Sequence, residues 1–521
     1  MAFYHDVNRR VRRQPPSCTG WLADMNTPRP QHVVIIGGGL AGLAAAEALL
    51  PGGADASTGD GRRVTLIETS GRFGGVVQTD RRDGWLIERS ADSFLATRPE
   101  AVGLVNRLGL TNELIGVDPG VRRALVLHRG RTQPVPSGFR LLAPSRLRSI
   151  LTTPVLSPLG RLRLLGERFI RSRAVTAKDE SLEHFALRRL GREAFEALVQ
   201  PLAAGIWTAD PARLSMAAAC PEFFAMELSA GSLWAGEQRR IRAAIGDSQA
   251  AGARYGQFLT LASGMETIPR RLADHLAARG VRFITDSVTD LSQLPDHRWQ
   301  VFLRGLKGDD AADTPAVIEA DAVVMAVPSP TAATLLRRCD PTLSGALAAI
   351  EYAGSTIVSL GFARDDVSHP LDAAGLVVPR REGRRMLAAS FSSQKFPGRA
   401  PAGSVLIRTF VGGALDPETA AIEDARLVPL VLKELREVLG VRGSPQIVQV
   451  NRWLGAMPQY TVGHCEHVAT IQQLVAGHRG LALAGAAYEG VGIPQVLASG
   501  QAAAASAQRT LNVAFQKMEP T

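Results

Sequence analysis

Gly37, Gly39 and Gly42, in Gly37-Gly38-Gly39-Leu40-Ala41-Gly42, carry a spacing that can bring backbone against a pyrophosphate. The β-branched run His32 to Ile36 precedes them and an Ala/Leu-rich stretch through Leu50 follows, so the local order reads strand, turn, helix. In that order Gly37 permits the tight turn, Gly39 lets the phosphates approach, and Gly42 lets helix and strand pack closely. The phosphates would sit on the helix N-terminus, where unpaired N–H groups and the helix dipole favour negative charge. After the turn-rich insertion Pro51 to Arg62, a second strand, Val64 to Ile67, ends at Glu68, an acidic residue placed to take ribose hydroxyls. A glutamate there disfavours the 2′-phosphate of NADP and leaves NAD and FAD equally compatible; the plainer reading is an Ala-rich α/β scaffold with an unused turn.

The following segment, Gly71-Arg72-Phe73-Gly74-Gly75-Val76-Val77, favours a flavin. It resembles the arginine–diglycine signature of the amine oxidase and phytoene desaturase flavoproteins. Physically, the glycine pair admits backbone close to the flavin-bearing half of a cofactor, and Arg72 offers charge to a phosphate. Further blocks narrow the resemblance: Asp179-Glu180-Ser181, which opens a helix with an N-cap pattern; Gly205-Ile206-Trp207-Thr208-Ala209-Asp210; Phe391 to Arg399; Met457-Pro458-Gln459-Tyr460; and Gly485-Ala486-Ala487-Tyr488-Glu489-Gly490-Val491-Gly492-Ile493-Pro494. In this order they resemble the oxygen-dependent porphyrinogen oxidases of haem biosynthesis, which act on protoporphyrinogen IX or coproporphyrinogen III. The resemblance runs from about residue 31 to 515.

That resemblance implies an α/β chain: a Rossmann-like, p-hydroxybenzoate-hydroxylase-like FAD domain, a mixed-sheet substrate domain and a helical, membrane-facing domain. The expected division is a disordered basic leader at 1–30, a discontinuous FAD domain at 31–108, 258–330 and 452–517, a helical domain at 109–215, and a substrate domain at 216–257 and 331–451. Val281 to Thr285 and Asp321 to Pro328 read as strands returning to the FAD sheet, and Gly500 to Leu511 as a C-terminal helix. The implied FAD contacts are Gly37, Gly38, Gly39, Leu40, Ala41, Gly42, Glu68, Arg72, Gly74, Gly75, Val76, Ser90, Ala91, Asp92, Ser93, Val288 at the adenine, Trp453, Ala486, Val491, Gly492 and Ile493. Ser90-Ala91 stands where relatives commonly carry Gly-Pro, Trp207 and Ala209 where they carry Tyr and Gly, and Gln495 where an acid is common.

The implied reaction removes six electrons from a porphyrinogen in three hydride transfers to flavin, with dioxygen as final acceptor. The cofactor carries such chemistry, so no side chain is needed as a nucleophile. No Ser-His-Asp or Cys-His arrangement stands out; His464 reads as structural, and Tyr488 fits a core aromatic or a flavin neighbour equally. The substrate's propionates call for arginines, and Arg98 and Arg123 are the candidates, each equally readable as a solvated surface residue.

Composition bounds these readings. With 521 residues, 45% apolar and 21% charged, the chain is too long for one small module and too apolar for wholesale disorder. Residues 1–30 are basic and aperiodic and read as disordered, equally as a functional tail or as a leader from an upstream start codon, and on the second reading a truncation at Met25 is expected to be harmless. The formal charge of +10 concentrates partly between Arg140 and Arg173, where eight arginines and the single acid Glu167 interleave with Leu and Ile. Such a stretch suits an anionic membrane surface or a solvated helix face. Nucleic acid is disfavoured, because no reader motif accompanies the charge and the chain has only five Tyr. The cysteines Cys18, Cys220, Cys339 and Cys465 are isolated, which suggests neither a metal site nor a disulfide framework. With no apolar run of transmembrane length, the expected place is the cytoplasm, with peripheral membrane contact open and a homodimer compatible. The alternatives are an amine oxidase or carotenoid desaturase on the same frame, and an FAD-binding protein without turnover.

Overall fold

The computed structural model describes residues 30–50, 62–173, 178–245, 257–305 and 316–516. The leader expected at 1–30, except its last residue, and the insertion, except Arg62, lie outside the described residues.

Five parallel strands form the first sheet, in the spatial order Arg282–Thr285, Arg63–Glu68, His32–Ile36, Ala322–Met325, Leu481–Leu483. The central strand is buried along its whole length, which explains why it reads as an unbroken apolar run. Val33 and Ile35 face a core shared with the helices Leu40–Leu49, Thr267–Ala278 and Ile493–Gln516. Val34 and Ile36 face the opposite core, built with Trp299 and Val301 and the helices Ser329–Leu336 and Pro341–Ala348. Both returning strands thus take the expected places. The C-terminal helix starts at Ile493, earlier than the expected Gly500.

The second sheet has seven strands, in the order Ile447–Pro458, Tyr352–Ala363, Ser404–Gly412, Met386–Phe391, Gly375–Val377, Ala124–His128, Arg131–Pro134. Every neighbouring pair is antiparallel except Gly375–Val377 with Ala124–His128. The amphipathic helix Asp424–Leu439 covers one face through Leu427, Val431 and Leu435. Beside the second sheet, which contributes Val126 and Val377, short helices from Leu147 to Ile245 gather around Phe185, Leu198, Trp207, Met216 and Phe223.

These contacts redraw three expected boundaries. Residues 124–134 belong to the seven-stranded sheet rather than to the helical region, and residues 216–233 pack into the helical core rather than with the substrate sheet. Residues 452–458 extend an edge strand of the second sheet rather than opening the last FAD segment. In each case a partner distant in sequence decides the placement, and strand partners leave no local mark.

Candidate active site

The glycine turn does three different jobs. Gly37 adopts φ +107°, donates its N–H to Ile67 O at 2.9 Å, and leaves only 2.4 Å between an ideal Cβ and Ala326 O. A Cβ on Gly42 would fall 1.9 Å from Gly37 O, so helix and turn touch backbone to backbone. A Cβ on Gly39 would meet nothing within 4 Å, which leaves open space over the start of the helix. Gly39 caps that helix without a side-chain hydrogen bond, so N–H groups of the first turn keep their capacity for an anion, beside buried Leu40 and Ala41.

The second glycine pair stacks on the first. Gly74 donates its N–H to Gly38 O at 2.8 Å, and Gly75, at φ +58°, would put a Cβ 3.3 Å from Gly39 Cα. The Arg72 guanidinium bonds Gly75 O at 2.7 Å, Val77 O at 3.1 Å and Glu266 Oε1 at 2.8 Å, so it shapes the diglycine turn from behind. Glu68 accepts the N–H groups of Gly38 at 2.7 Å and Ser70 at 2.8 Å and keeps lone pairs for a hydroxyl. Val288 follows shortly after Thr285, the register partner of Glu68, which brings it to the same end of the sheet.

Beyond Glu88 the chain turns under these glycines. The Ser90 hydroxyl donates to Val76 O, tying the two segments together, and Arg408 donates to Ser90 O. Burial alone would raise the Asp92 carboxyl, but Lys395 and Arg408 outweigh it and hold that carboxyl well below the usual range. Burial pushes Glu88 up, against bonds from the Thr79 hydroxyl at 2.7 Å and Met265 N–H at 3.0 Å, while burial also lowers Arg399. Trp453 donates its indole N–H to Arg89 O at 2.6 Å. Past it the edge strand bulges: Ser355 pairs with Trp453 and Ala353 with Met457, so Leu454, Gly455 and Ala456 oppose Gly354 alone. Such bulges re-aim side chains beside sites. Leu454 is 56% exposed and Val76 is 45% exposed, apolar surface that a flavin ring would cover.

The last block closes the site. Gly485 donates its N–H to Ser499 Oγ at 3.0 Å, and Ala486 O accepts the Tyr460 hydroxyl. Tyr460 stacks on His464 with centroids 4.2 Å apart, and burial pulls the imidazole down to about 4, so His464 is neutral. Tyr488 is buried with no partner for its hydroxyl, and burial raises its pKa. Gln495, the departure from an acid, lies over the turn: Cβ atoms on Gly490 and Gly492 would come within 2.8 and 2.4 Å of it. Val491 packs on the helical core, and Ile493 begins the C-terminal helix.

A cavity of about 430 Å³ lies between the segment that follows Trp207, the start of the strand Tyr352–Ala363 and the bulge after Trp453, lined in part by Asp210, Arg213, Tyr352, Gly354, Gly455 and Tyr460. Arg98 is exposed at the start of the helix Pro99–Arg107. Arg123 is half exposed, paired with the Asp372 side chain and bonded to its carbonyl at 2.8 Å. Sequence reasoning missed Arg408 and Lys395 as members of the site, although a charge inside the run Val405-Leu406-Ile407-Arg408-Thr409-Phe410-Val411 is a signal that it has a buried partner. Among the described residues, no group of three His, Cys, Asp or Glu is placed to hold a metal ion.

The open space over Gly39, the uncapped helix start, the carboxylate of Glu68 and the exposed apolar edges fit FAD. Residues 40–507 match the model of the flavin containing amine oxidoreductase family. The chain is 32% identical to the coproporphyrinogen III oxidase of Bacillus subtilis (strain 168) over 92% of its length and 98% of the relative's. It is 34% identical to the coproporphyrinogen III oxidase of Propionibacterium freudenreichii, over 94% and 93%, and 28% identical to the chloroplastic protoporphyrinogen oxidase of Nicotiana tabacum, over 92% and 89%. A crystal structure of a chain assigned as a protoporphyrinogen oxidase from Exiguobacterium sp. 255-15 superposes with a TM-score of 0.77 at 28% identity, covering 92% of this chain and 99% of that one. Cyclohexylamine oxidase from Brevibacterium oxydans, at 17% identity, a TM-score of 0.62 and coverage of 93% and 100%, shares the fold.

Proposed function

The chain belongs to the flavin-containing amine oxidoreductases and, among them, to the porphyrinogen oxidases, and from that premise we propose that its substrate is coproporphyrinogen III. It is an FAD-dependent oxidoreductase that converts a porphyrinogen to the porphyrin in haem biosynthesis. The observation that carries the finer choice is that two relatives above 30% identity bear the coproporphyrinogen name, each over more than nine tenths of both chains.

Bound FAD supplies a two-electron acceptor that dioxygen regenerates, so three rounds remove the six electrons and six hydrogens that separate porphyrinogen from porphyrin. The protein's part is orientation and exclusion of water. The glycine turns would hold the pyrophosphate, Glu68 the ribose and Val288 the adenine, and the segments Ser90–Ser93, Trp453 and Ala486–Ile493 would hold the ring. Arg98 and Arg123 take substrate carboxylates.

The test uses purified holoprotein, FAD absorbance, and porphyrin fluorescence in air with each porphyrinogen, after subtracting autoxidation. We expect kcat/KM for coproporphyrinogen III to exceed that for protoporphyrinogen IX by at least tenfold. A ratio of one or less overturns the substrate choice, and no rate with either overturns the oxidase reading.

The same protein docks on an anionic membrane surface through the helices Leu147–Thr152 and Pro158–Leu165 and the turn that follows. The support is a patch where Leu159 and Phe169 are 78% and 77% exposed beside exposed Leu162, Arg146, Arg148, Arg168 and Arg171. Among the described residues no helix is long and apolar enough to cross a membrane. Leu159→Asp with Phe169→Asp should abolish sedimentation with phosphatidylglycerol vesicles, and unchanged sedimentation refutes the docking.

A further inference from the structure

Beneath Ser90–Ser93 the buried Arg408 and the largely buried Lys395 and Asp92 form a charge cluster with no part in holding the pyrophosphate, ribose or substrate. Lys395 ends the short helix Ser392–Lys395 and brings Nζ to 3.0 and 3.1 Å from the two Asp92 carboxylate oxygens and 3.4 Å from Ser93 Oγ. Arg408, 1% exposed, rises from the strand Ser404–Gly412, donates to Ser90 O, and places Nη1 3.3 Å from Asp92 Oδ2. Ser390 Oγ adds a contact to the same carboxylate at 3.5 Å. Two cations face one carboxylate, so a positive charge is left over, and Arg408 Nε is buried without a partner. The neighbouring Glu88 and Arg399, 3.9 Å apart, offset each other.

A buried ion pair seldom out-stabilises an apolar filling of the same space, because desolvation offsets the attraction. An excess buried charge is harder still to explain by stability, whereas a charge in a low-dielectric site acts strongly on any nearby group whose own charge changes. We propose that Lys395 and Arg408 are positioning residues that, through Asp92, clamp Ser90–Ser93 against the flavin and set a surplus positive charge beside it, favouring its two-electron-reduced form. The proposal rests on the reading of Ser90–Ser93 as a flavin contact.

The test measures the flavin midpoint potential of purified holoprotein by dye equilibration, with the FAD dissociation constant from titration of apoprotein and thermal melts to follow folding. Lys395→Met should shift the reduction equilibrium at least threefold toward the oxidised form, and Asp92→Asn at least threefold the other way, each about 14 mV at ~30 mV per tenfold for two electrons. Lys395→Arg should restore the wild-type potential, and Ser390→Ala, which removes a contact but no charge, should leave it unmoved. A scaffolding role alone lowers melting temperatures without shifts of opposite sign, and that result overturns the proposal. If Lys395→Met does not retain FAD, the opposite shift in Asp92→Asn and the null in Ser390→Ala decide. Ala91→Trp separates the two readings: Ala91 is exposed on this loop, and an unchanged FAD affinity and spectrum in that variant overturns the flavin contact itself.

Discussion

Gly39→Ala and Gly42→Ala should separate cofactor binding from folding, although both alter one six-residue turn. The Gly42 Cβ would sit 1.9 Å from Gly37 O, and Gly37 is itself confined by a φ of +107° and a 2.4 Å approach to Ala326 O. Neither atom belongs to a side chain that can swing away, so helix and strand must separate, at or above the ~3 kcal/mol upper end of ordinary overpacking. The Gly39 Cβ meets nothing within 4 Å, and its φ of −72° and ψ of −179° are open to alanine. Apoprotein stability of Gly39→Ala should therefore stay within about 0.5 kcal/mol of wild type, since entropy gained against the unfolded chain and a weaker cap nearly cancel. The methyl does, however, occupy the space a pyrophosphate needs. A tenfold or greater rise in the FAD dissociation constant, about 1.4 kcal/mol, is expected, with an equal loss of FAD-dependent stabilisation at fixed free FAD. Urea melts of apoprotein and holoprotein, with FAD titrations, measure both quantities. The reasoning fails if Gly39→Ala destabilises the apoprotein as much as Gly42→Ala does, or binds FAD with wild-type affinity.

His464, lowered by burial to about 4, is neutral in the fold but takes up a proton when unfolded below about 6.5, so its contribution is complete above that pH and falls away toward 4. The loss should approach about 3 kcal/mol over that window, and His464→Gln should flatten the corresponding slope in melts from pH 4 to 7. Arg189 is fully buried among Glu167, Glu227 at 3.5 Å, and the carbonyls of Ile170 and Gly231. Arg189→Met, which leaves the buried Glu167 without a cation while Glu227 keeps Arg188 at 2.7 Å, should cost about 3–5 kcal/mol in urea melts, while Glu167→Leu added to it recovers part of the loss. Arg123→Met should raise KM for coproporphyrinogen III roughly tenfold with little change in kcat, the pattern of a lost ground-state contact; a fall in kcat alone would place Arg123 elsewhere in the reaction.

The legible parts of this protein are those where local chemistry dictates one conformation. Gly37 turns the chain and Gly42 brings helix and turn together as their spacing predicts, Gly39 leaves open space above the helix, Ser181 caps its helix by accepting the His184 N–H, and Glu68 ends its strand beside the turn. What escaped was non-local. Nothing in the vicinity of Trp453 says that its strand pairs with Tyr352–Ala363, though Gly455 inside an apolar strand was a mark of the bulge. Lys395 was legible as part of a motif but not as the partner of Asp92, because the two lie 303 residues apart and only the docking of one sheet on the other joins them. Arg72 kept its place in the diglycine turn, yet its fork is engaged by Glu266, far along the chain, rather than left free for a phosphate.

The order in which the first sheet collects its strands has a consequence for how the protein is made. Its edge strand Leu481–Leu483 closes on Ala322–Met325, and the C-terminal helix lies against Leu40–Leu49, where Gln31 Nε2 reaches Leu511 O across 480 residues. The glycine turn and the helix that packs against it come from opposite ends of the fold's sequence order, with all the other strands of the sheet between them. Contacts of such separation form slowly and expose apolar surface meanwhile. A chain lacking the helix Ile493–Gln516 leaves the buried face of Leu40–Leu49 uncovered, and such a variant is expected to bind no FAD and to aggregate, which FAD absorbance and light scattering check.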